Sequence, residues 1–297
     1  MKPYILLAAT ALMLAACTND EVTTVPDGEV ALKVNATISG TNTRASGTDW
    51  AHGDRIGITG GNYTNRPYAY ESGKFAATGQ EIYFEDPNPV TFRAYYPYAE
   101  GGGTVTATTG ADMQTADQQP KIDFLYTGGA TASKGNPVVN FTGEHAFCHR
   151  MSQITLEFTE GADMDFDNGM LTGYTLGGLK LQGSFNTQDG TATADDNASA
   201  AELTIALSGV TTTNDRYTAS PVIVFPQSAI GIDLAVTVNG QTYKAKLTVP
   251  EYNSAFGLQP GVNYLFPVIV SKTGLTAGSA DIKDWVTVTD DDNTALM

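Results

Sequence analysis

The residues best suited to chemistry gather in one short stretch, His145-Ala-Phe-Cys148-His149. Imidazole and thiolate are the ligands that zinc favours. On an extended strand, however, positions 145 and 149 share a face while 148 points the other way, so the spacing does not gather three ligands. The expectation is an ordinary hydrogen-bonded segment, with no metal and no cofactor. The acidic runs Asp195-Asp196 and Asp290-Asp291-Asp292 offer oxygen ligands for calcium but lack the glycine and terminal glutamate spacing of an EF-hand loop. They read as solvated turns and tail. GxSxG, Walker, HExxH and Rossmann signatures do not occur, and nothing singles out a carboxylate pair for glycoside hydrolysis. The sequence therefore points away from an enzyme. Two tyrosine-rich stretches, GNYTNRPYAY and FRAYYPY, hold Tyr63, Tyr68, Tyr70, Tyr95, Tyr96 and Tyr98. Their rings either pack in a core, the commoner use in sandwiches, or serve as ligand platforms, with Tyr95, Tyr96 and Tyr98 the candidates. Finally, Arg44 stands alone in NTRASGTD, a polar stretch where a protease could reach extended backbone.

The elements that must position these residues are short strands. The chain has 297 residues, enough for two ordinary domains. Its net charge of −16 opposes binding to nucleic acid or to an anionic membrane surface. Residues Val30, Leu32, Val34, Ala36 and Ile38 alternate with Ala31, Lys33, Asn35 and Thr37, the period-2 pattern of a half-buried strand. The pattern stops at SGTNTRASGTD and restarts at DRIGI. Further strands are expected in EIYFE, VTFRAYY, DFLYTGGA, VVNF, HRMSQITLEF, AELTIALSG and NYLFPVIV, with Pro267 marking an edge or bulge. The Gly/Thr/Ala-rich stretch 101–118 reads as a long loop. IDLAVTVNGQTYKAKLTV is a hairpin around an Asn239-Gly240 type I′ turn. No helix pattern of any length is present, so the fold class is all-β, with β-sandwiches as the architecture.

The N-terminus sets the compartment. MKPYILLAATALMLAAC has one cation and an apolar run the length of a signal-peptide core, too short to cross a bilayer as an anchor helix. Its end, Leu14-Ala15-Ala16-Cys17, resembles the lipobox of bacterial lipoproteins. The resemblance implies cleavage before Cys17 and acylation of that cysteine, which tethers the chain to a membrane and leaves Cys148 without a disulfide partner. A Cys17–Cys148 disulfide is the rival reading.

Taken in order, the lipobox, the alternating strand, TRAS, Trp50 before HGDRIGI, FRAYYPY, DFLYTGGA, HRMSQITLEF, GLQPGVNYLFPVIVSKTGLT and ADIKDW resemble the fimbrillin (Mfa-like, type V pilin) family of bacterial surface lipoproteins. The resemblance runs from Cys17 to about Trp285. It implies two transthyretin-like β-sandwich domains in tandem after a lipoprotein signal peptide. The division is residues 1–16 as signal peptide, 17–28 as tether, 29–145 as the N-terminal domain and 146–297 as the C-terminal domain. It also implies a fimbrial subunit on the cell outer membrane, surface-exposed and lipid-anchored. An Arg-specific protease would cut between Arg44 and Ala45, removing the strand that carries Val30, Leu32, Val34, Ala36 and Ile38. Other pilin subunits would then partner the chain by β-strand addition. Arg55 and Arg66 are rival cut sites. The acidic C-terminal segment makes a poor donor strand, which leaves room for a tip or accessory subunit. The alternative function is a non-polymerising surface lipoprotein that binds a glycan or host ligand.

Overall fold

The computed structural model describes residues 28–39, 49–167 and 170–285. Among these the regular structure is strand, with three one-turn 3-10 segments and no α-helix. The all-β expectation holds, and it follows from short β-branched and aromatic runs broken by Gly, Asn and Pro.

The first half builds an eight-stranded sheet in the order Val138–Phe141, Lys33–Ala36, Lys74–Ala77, Tyr63–Glu71, Arg55–Gly60, Val90–Tyr96, Leu125–Ala132 and Cys148–His149. Its inner face carries Ile56, Ile58, Tyr68, Phe75, Phe92 and Phe141. Gly57 lies where a β-carbon would overlap the Tyr95 ring, which explains a glycine inside the DRIGI strand.

The second half packs a six-stranded sheet onto a four-stranded one. Ser152–Glu160 is central in the first, flanked by Arg216–Thr218 and Val222–Val224 on one side and by Val262–Ser271 on the other. The second runs Ala201–Ala206, Leu171–Leu179, Gly231–Val238 and Gln241–Thr248. Ile154, Leu156 and Phe158 share one core with Leu176, Leu203, Leu234 and Val236, all inward positions of alternating strands. Asn239 and Gly240 both have positive φ, 49° and 73°, as a type I′ turn requires.

Two readings differ from the structure. Pro267 lies inside Val262–Ser271, which is paired on both sides rather than at an edge. Its missing N–H is harmless because it falls between two partners: Gly274–Ala277 pairs from Val268 onward and Asp281–Asp284 ends at Leu265. The expected loop 101–118 contains a strand, Thr104–Thr108, which pairs antiparallel with Gln182–Asn186 from the second half. With Ala192–Ala194 these form a three-stranded sheet over a third core of Tyr95, Phe124, Phe185, Ile223, Phe225 and Trp285.

Candidate functional site

The alternating strand seen in sequence occupies the interior of the eight-stranded sheet. Its odd residues bond to one neighbour: Lys33 donates to the Pro137 carbonyl at 2.8 Å and Thr37 to Phe141 at 2.9 Å. Lys33–Ala36 runs parallel to Val138–Phe141, in register residue for residue. Beyond that strand, Ser39 donates to Phe147 at 2.7 Å and Phe147 donates back to Thr37 at 2.9 Å. The even residues point the other way. Val30–Ala31 pairs with Tyr83–Phe84, and Leu32 donates to Ile82 at 2.8 Å.

The even-numbered side is thinly held. Lys33–Ala36 meets Lys74–Ala77 at a single register pair, Val34 with Phe75. The two strands diverge around a cleft of about 530 Å³ whose lining includes Leu32, Val34, Tyr68, Phe75 and Val138. Where the neighbouring strand runs out, a side chain takes over. The Trp50 indole N–H donates to the Ala36 carbonyl at 3.0 Å. The indole is itself fixed edge-on against Phe75 (5.1 Å), Phe147 (5.1 Å) and Tyr96 (5.5 Å).

Burial follows the alternation. Leu32 and Val34 are each 3% exposed; Val30, Ala36 and Ile38 are half-buried, and Lys33, Asn35 and Thr37 are exposed. Burying Leu32 and Val34 contributes roughly 3–6 kcal/mol together as an upper bound. Loss of this strand would leave two sheet edges unpaired and their apolar floor open to water.

The residues expected to carry processing, Cys17, Arg44 and Ala45, lie outside the described residues. The rival arginines are inside paired strands. Arg55 pairs with Ala69 and its guanidinium sits 4.6 Å over the Tyr98 ring. Arg66 pairs with Ile58 and its guanidinium lies 5.6 Å from the Tyr63 ring. A protease needs extended, unpaired backbone, which neither offers.

The tyrosine platform does not form. Tyr95 is 2% exposed; its hydroxyl donates to Asn65 Oδ1 at 2.6 Å and accepts from the Ala99 N–H at 3.2 Å. Tyr96 is buried and donates to Asp54 Oδ1 at 3.0 Å. Burial, and for Tyr96 the Asp54 carboxylate as well, pushes both hydroxyls above the usual phenol range. Tyr98 is half-buried with Arg55 over its ring. Alternation on Val90–Tyr96 sends Tyr95 into the third core and Tyr96 into the first, so neither ring presents a free face to a glycan.

The HAFCH segment does not gather its ligands. His145 lies in a 3-10 turn with Nδ1 3.1 Å from the Gly128 carbonyl. Cys148 is exposed. His149 is buried, its Nδ1 2.8 Å from Asp123 Oδ1, with its ring stacked 4.0 Å from Trp285. Among the described residues, the close acidic group is Glu160, Asp165 and Asp167. These oxygens already accept loop N–H groups: Phe166 to Glu160, Asp167 to Asp165 and Thr212 to Asp167, at 2.8–2.9 Å. Sequence reasoning missed Trp50 and its bond to Ala36. A lone Trp beside a loop carries no signal of which carbonyl it will reach.

A family model described as fimbrillin-like matches residues 43–285. Among solved structures, the chain is similar to a candidate cell adhesion protein from Bacteroides ovatus, at 25% identity and TM-score 0.70 over 88% of this chain and 99% of that one. It is similar to another from Bacteroides uniformis, at 26% identity and TM-score 0.65, again over 88% and 99%. It shares a fold with the C-terminally truncated tip fimbrial protein Mfa3 from Porphyromonas gingivalis, at 8% identity and TM-score 0.51 over 86% and 100%. No curated protein sequence matches the chain.

Proposed function

Because this chain belongs to the fimbrillin-like family, we propose that it is a fimbrial subunit that polymerises by strand exchange. In this reading Cys17 carries the lipid that brings the chain to the outer membrane surface. An Arg-specific protease cuts between Arg44 and Ala45, and the strand bearing Val30, Leu32, Val34, Ala36 and Ile38 leaves. A strand of another pilin subunit fills the groove by β-strand addition. The role is structural and adhesive, not catalytic. In this reading the mature chain divides into two domains near residues 142–149, a division that its two large cores support. The C-terminal run of three aspartates, Asp290 to Asp292, makes a weak donor and favours a tip or accessory position.

One observation carries the reading. The strand Lys33–Ala36 is interior to its sheet, yet it is held by a full ladder on one side and a single register pair on the other. A segment so placed is separable from the body once the chain is cut, and its loss exposes a groove that demands a replacement.

The test is incubation of the full chain with an Arg-specific protease, followed by N-terminal sequencing and size analysis. The expected outcome is a new N-terminus at Ala45 together with oligomers, and Arg44→Ala should block both. Cleavage at Ala45 without strand loss under any condition would sink the exchange mechanism.

A further inference from the structure

The groove selects its occupant by size at one position. Ala36 lies in register beside Phe141. In a parallel ladder, in-register side chains stand on the same face about 4.8 Å apart. The Trp50 indole reaches the same residue from the opposite side through its 3.0 Å bond to the Ala36 carbonyl. Phe147 completes the surround: its ring lies 5.7 Å from Phe141 and 5.1 Å from Trp50, and its N–H holds the Thr37 carbonyl. Three rings, joined through Phe147, thus lie around the one inward residue of the strand that carries only a methyl group. The positions before it seat larger side chains, Leu32 and Val34, each 3% exposed in the first core, and Ile38 bridges to Phe147 at the far end.

We propose, building on the strand-exchange reading, that this aromatic surround is a register key. It requires the incoming strand to carry a small residue where Ala36 stands, the third of positions 32, 34, 36 and 38, in the order large, β-branched, small, large. The ladder alone cannot fix this. A slip of one residue turns the apolar face to solvent, but a slip of two preserves both the face and the hydrogen bonds. Only a side-chain subsite of distinct size separates those registers. Trp50 reads main chain and so adds affinity without sequence preference, while the space it leaves beside Phe141 supplies the preference. The chain's own last residues do not fit. Every register over residues 286–297 that runs as the first strand does and fills positions 32 to 38, slips of two included, sets an aspartate at one of the positions that Leu32, Val34 and Ala36 fill; the register that brings Ala295 to the small subsite puts Asp291 in place of Leu32. The occupant is therefore a strand of another subunit, uncharged at those three positions.

The experiment uses the full chain cut at Arg44 and synthetic peptides of residues 29–39. Protein and peptide are equilibrated in mild denaturant, returned to buffer, and the retained strand is weighed by native mass spectrometry. The wild-type peptide should exchange in. An Ala36→Gly peptide should compete within about threefold of it. An Ala36→Leu peptide should compete at least about tenfold less well, the overpacking cost expressed as affinity. A peptide of residues 286–297 should not enter. Equal competition by the Ala36→Leu peptide, or capture of the 286–297 peptide, overturns the register key and leaves strand exchange standing. Failure of every peptide, the wild-type strand included, overturns exchange itself and the key with it.

Discussion

Tyr68 couples the floor of the groove to pH. It is 1% exposed, and its hydroxyl accepts the Ile82 N–H at 3.2 Å. Burial disfavours the phenolate and pushes its pKa from 10.0 up to about 12. The folded chain therefore holds this proton more tightly than the unfolded chain. Its contribution is fully present below pH 10 and is lost as the pH rises from 10 towards 12, by about 2–3 kcal/mol. Tyr96 and Tyr174 are raised in the same sense, chiefly by burial, so unfolding should be steeply alkaline. Tyr68→Phe is expected to cost about 1–3 kcal/mol at pH 7, because the buried Ile82 N–H loses its acceptor. It should also flatten the stability loss between pH 10 and 11. Urea unfolding at pH 7, 10 and 11 measures both effects. A variant whose alkaline loss matched the wild type would show that Tyr68 does not report on the fold.

At the scale of elements, the first strand was legible because its two-residue period coincides with real burial: Leu32 and Val34 inside, Lys33 and Asn35 outside. The Asn239-Gly240 hairpin was legible for the same reason plus a turn with a single good conformation. The pairing of Lys33–Ala36 with Val138–Phe141 was not. It is parallel and spans more than a hundred residues, and no local pattern encodes such a partner. Thr104–Thr108 was missed because Thr, Val and Ala following three glycines resemble a loop until a distant strand pairs with them. For the tyrosines packing was the preferred reading, but composition does not say which core each ring enters: Tyr95 lies in the third and Tyr96 in the first. These origins set different expectations for substitution within the strand. Val34→Ala, which empties a buried subsite between Val139 and Phe75, should lower stability by about 2 kcal/mol. Exposed Lys33→Ala should change it by less than about 0.5 kcal/mol. Chemical denaturation of the uncut protein compares them, and equal effects would mean the strand is not seated as described.

At the scale of the molecule, the third core decides whether the two halves act together. Phe124 from the first half stacks on Phe185 from the second at 4.7 Å with rings nearly parallel. Gln114 and Gln119 reach across to the Ile223 and Pro221 carbonyls at 2.8 and 2.7 Å. Thr104–Thr108 lends the second half a whole strand. His149, paired with Asp123, stacks on Trp285, the last described residue. Ring stacking, side-chain hydrogen bonds and a shared strand at this junction are expected to tie the two halves into one cooperative unit rather than two beads on a linker. The groove around residues 30–38 belongs to the first core alone. Occupancy there should therefore govern the stability of the whole chain through the junction. Phe185→Ala removes the central ring, at a cost of about 3–5 kcal/mol, and should uncouple the halves. Scanning calorimetry of the wild type is expected to give one transition, and Phe185→Ala two, the lower one rising when the first strand is covalently retained by Arg44→Ala in the presence of protease. Two resolved transitions in the wild type would show that the junction joins the halves without coupling them.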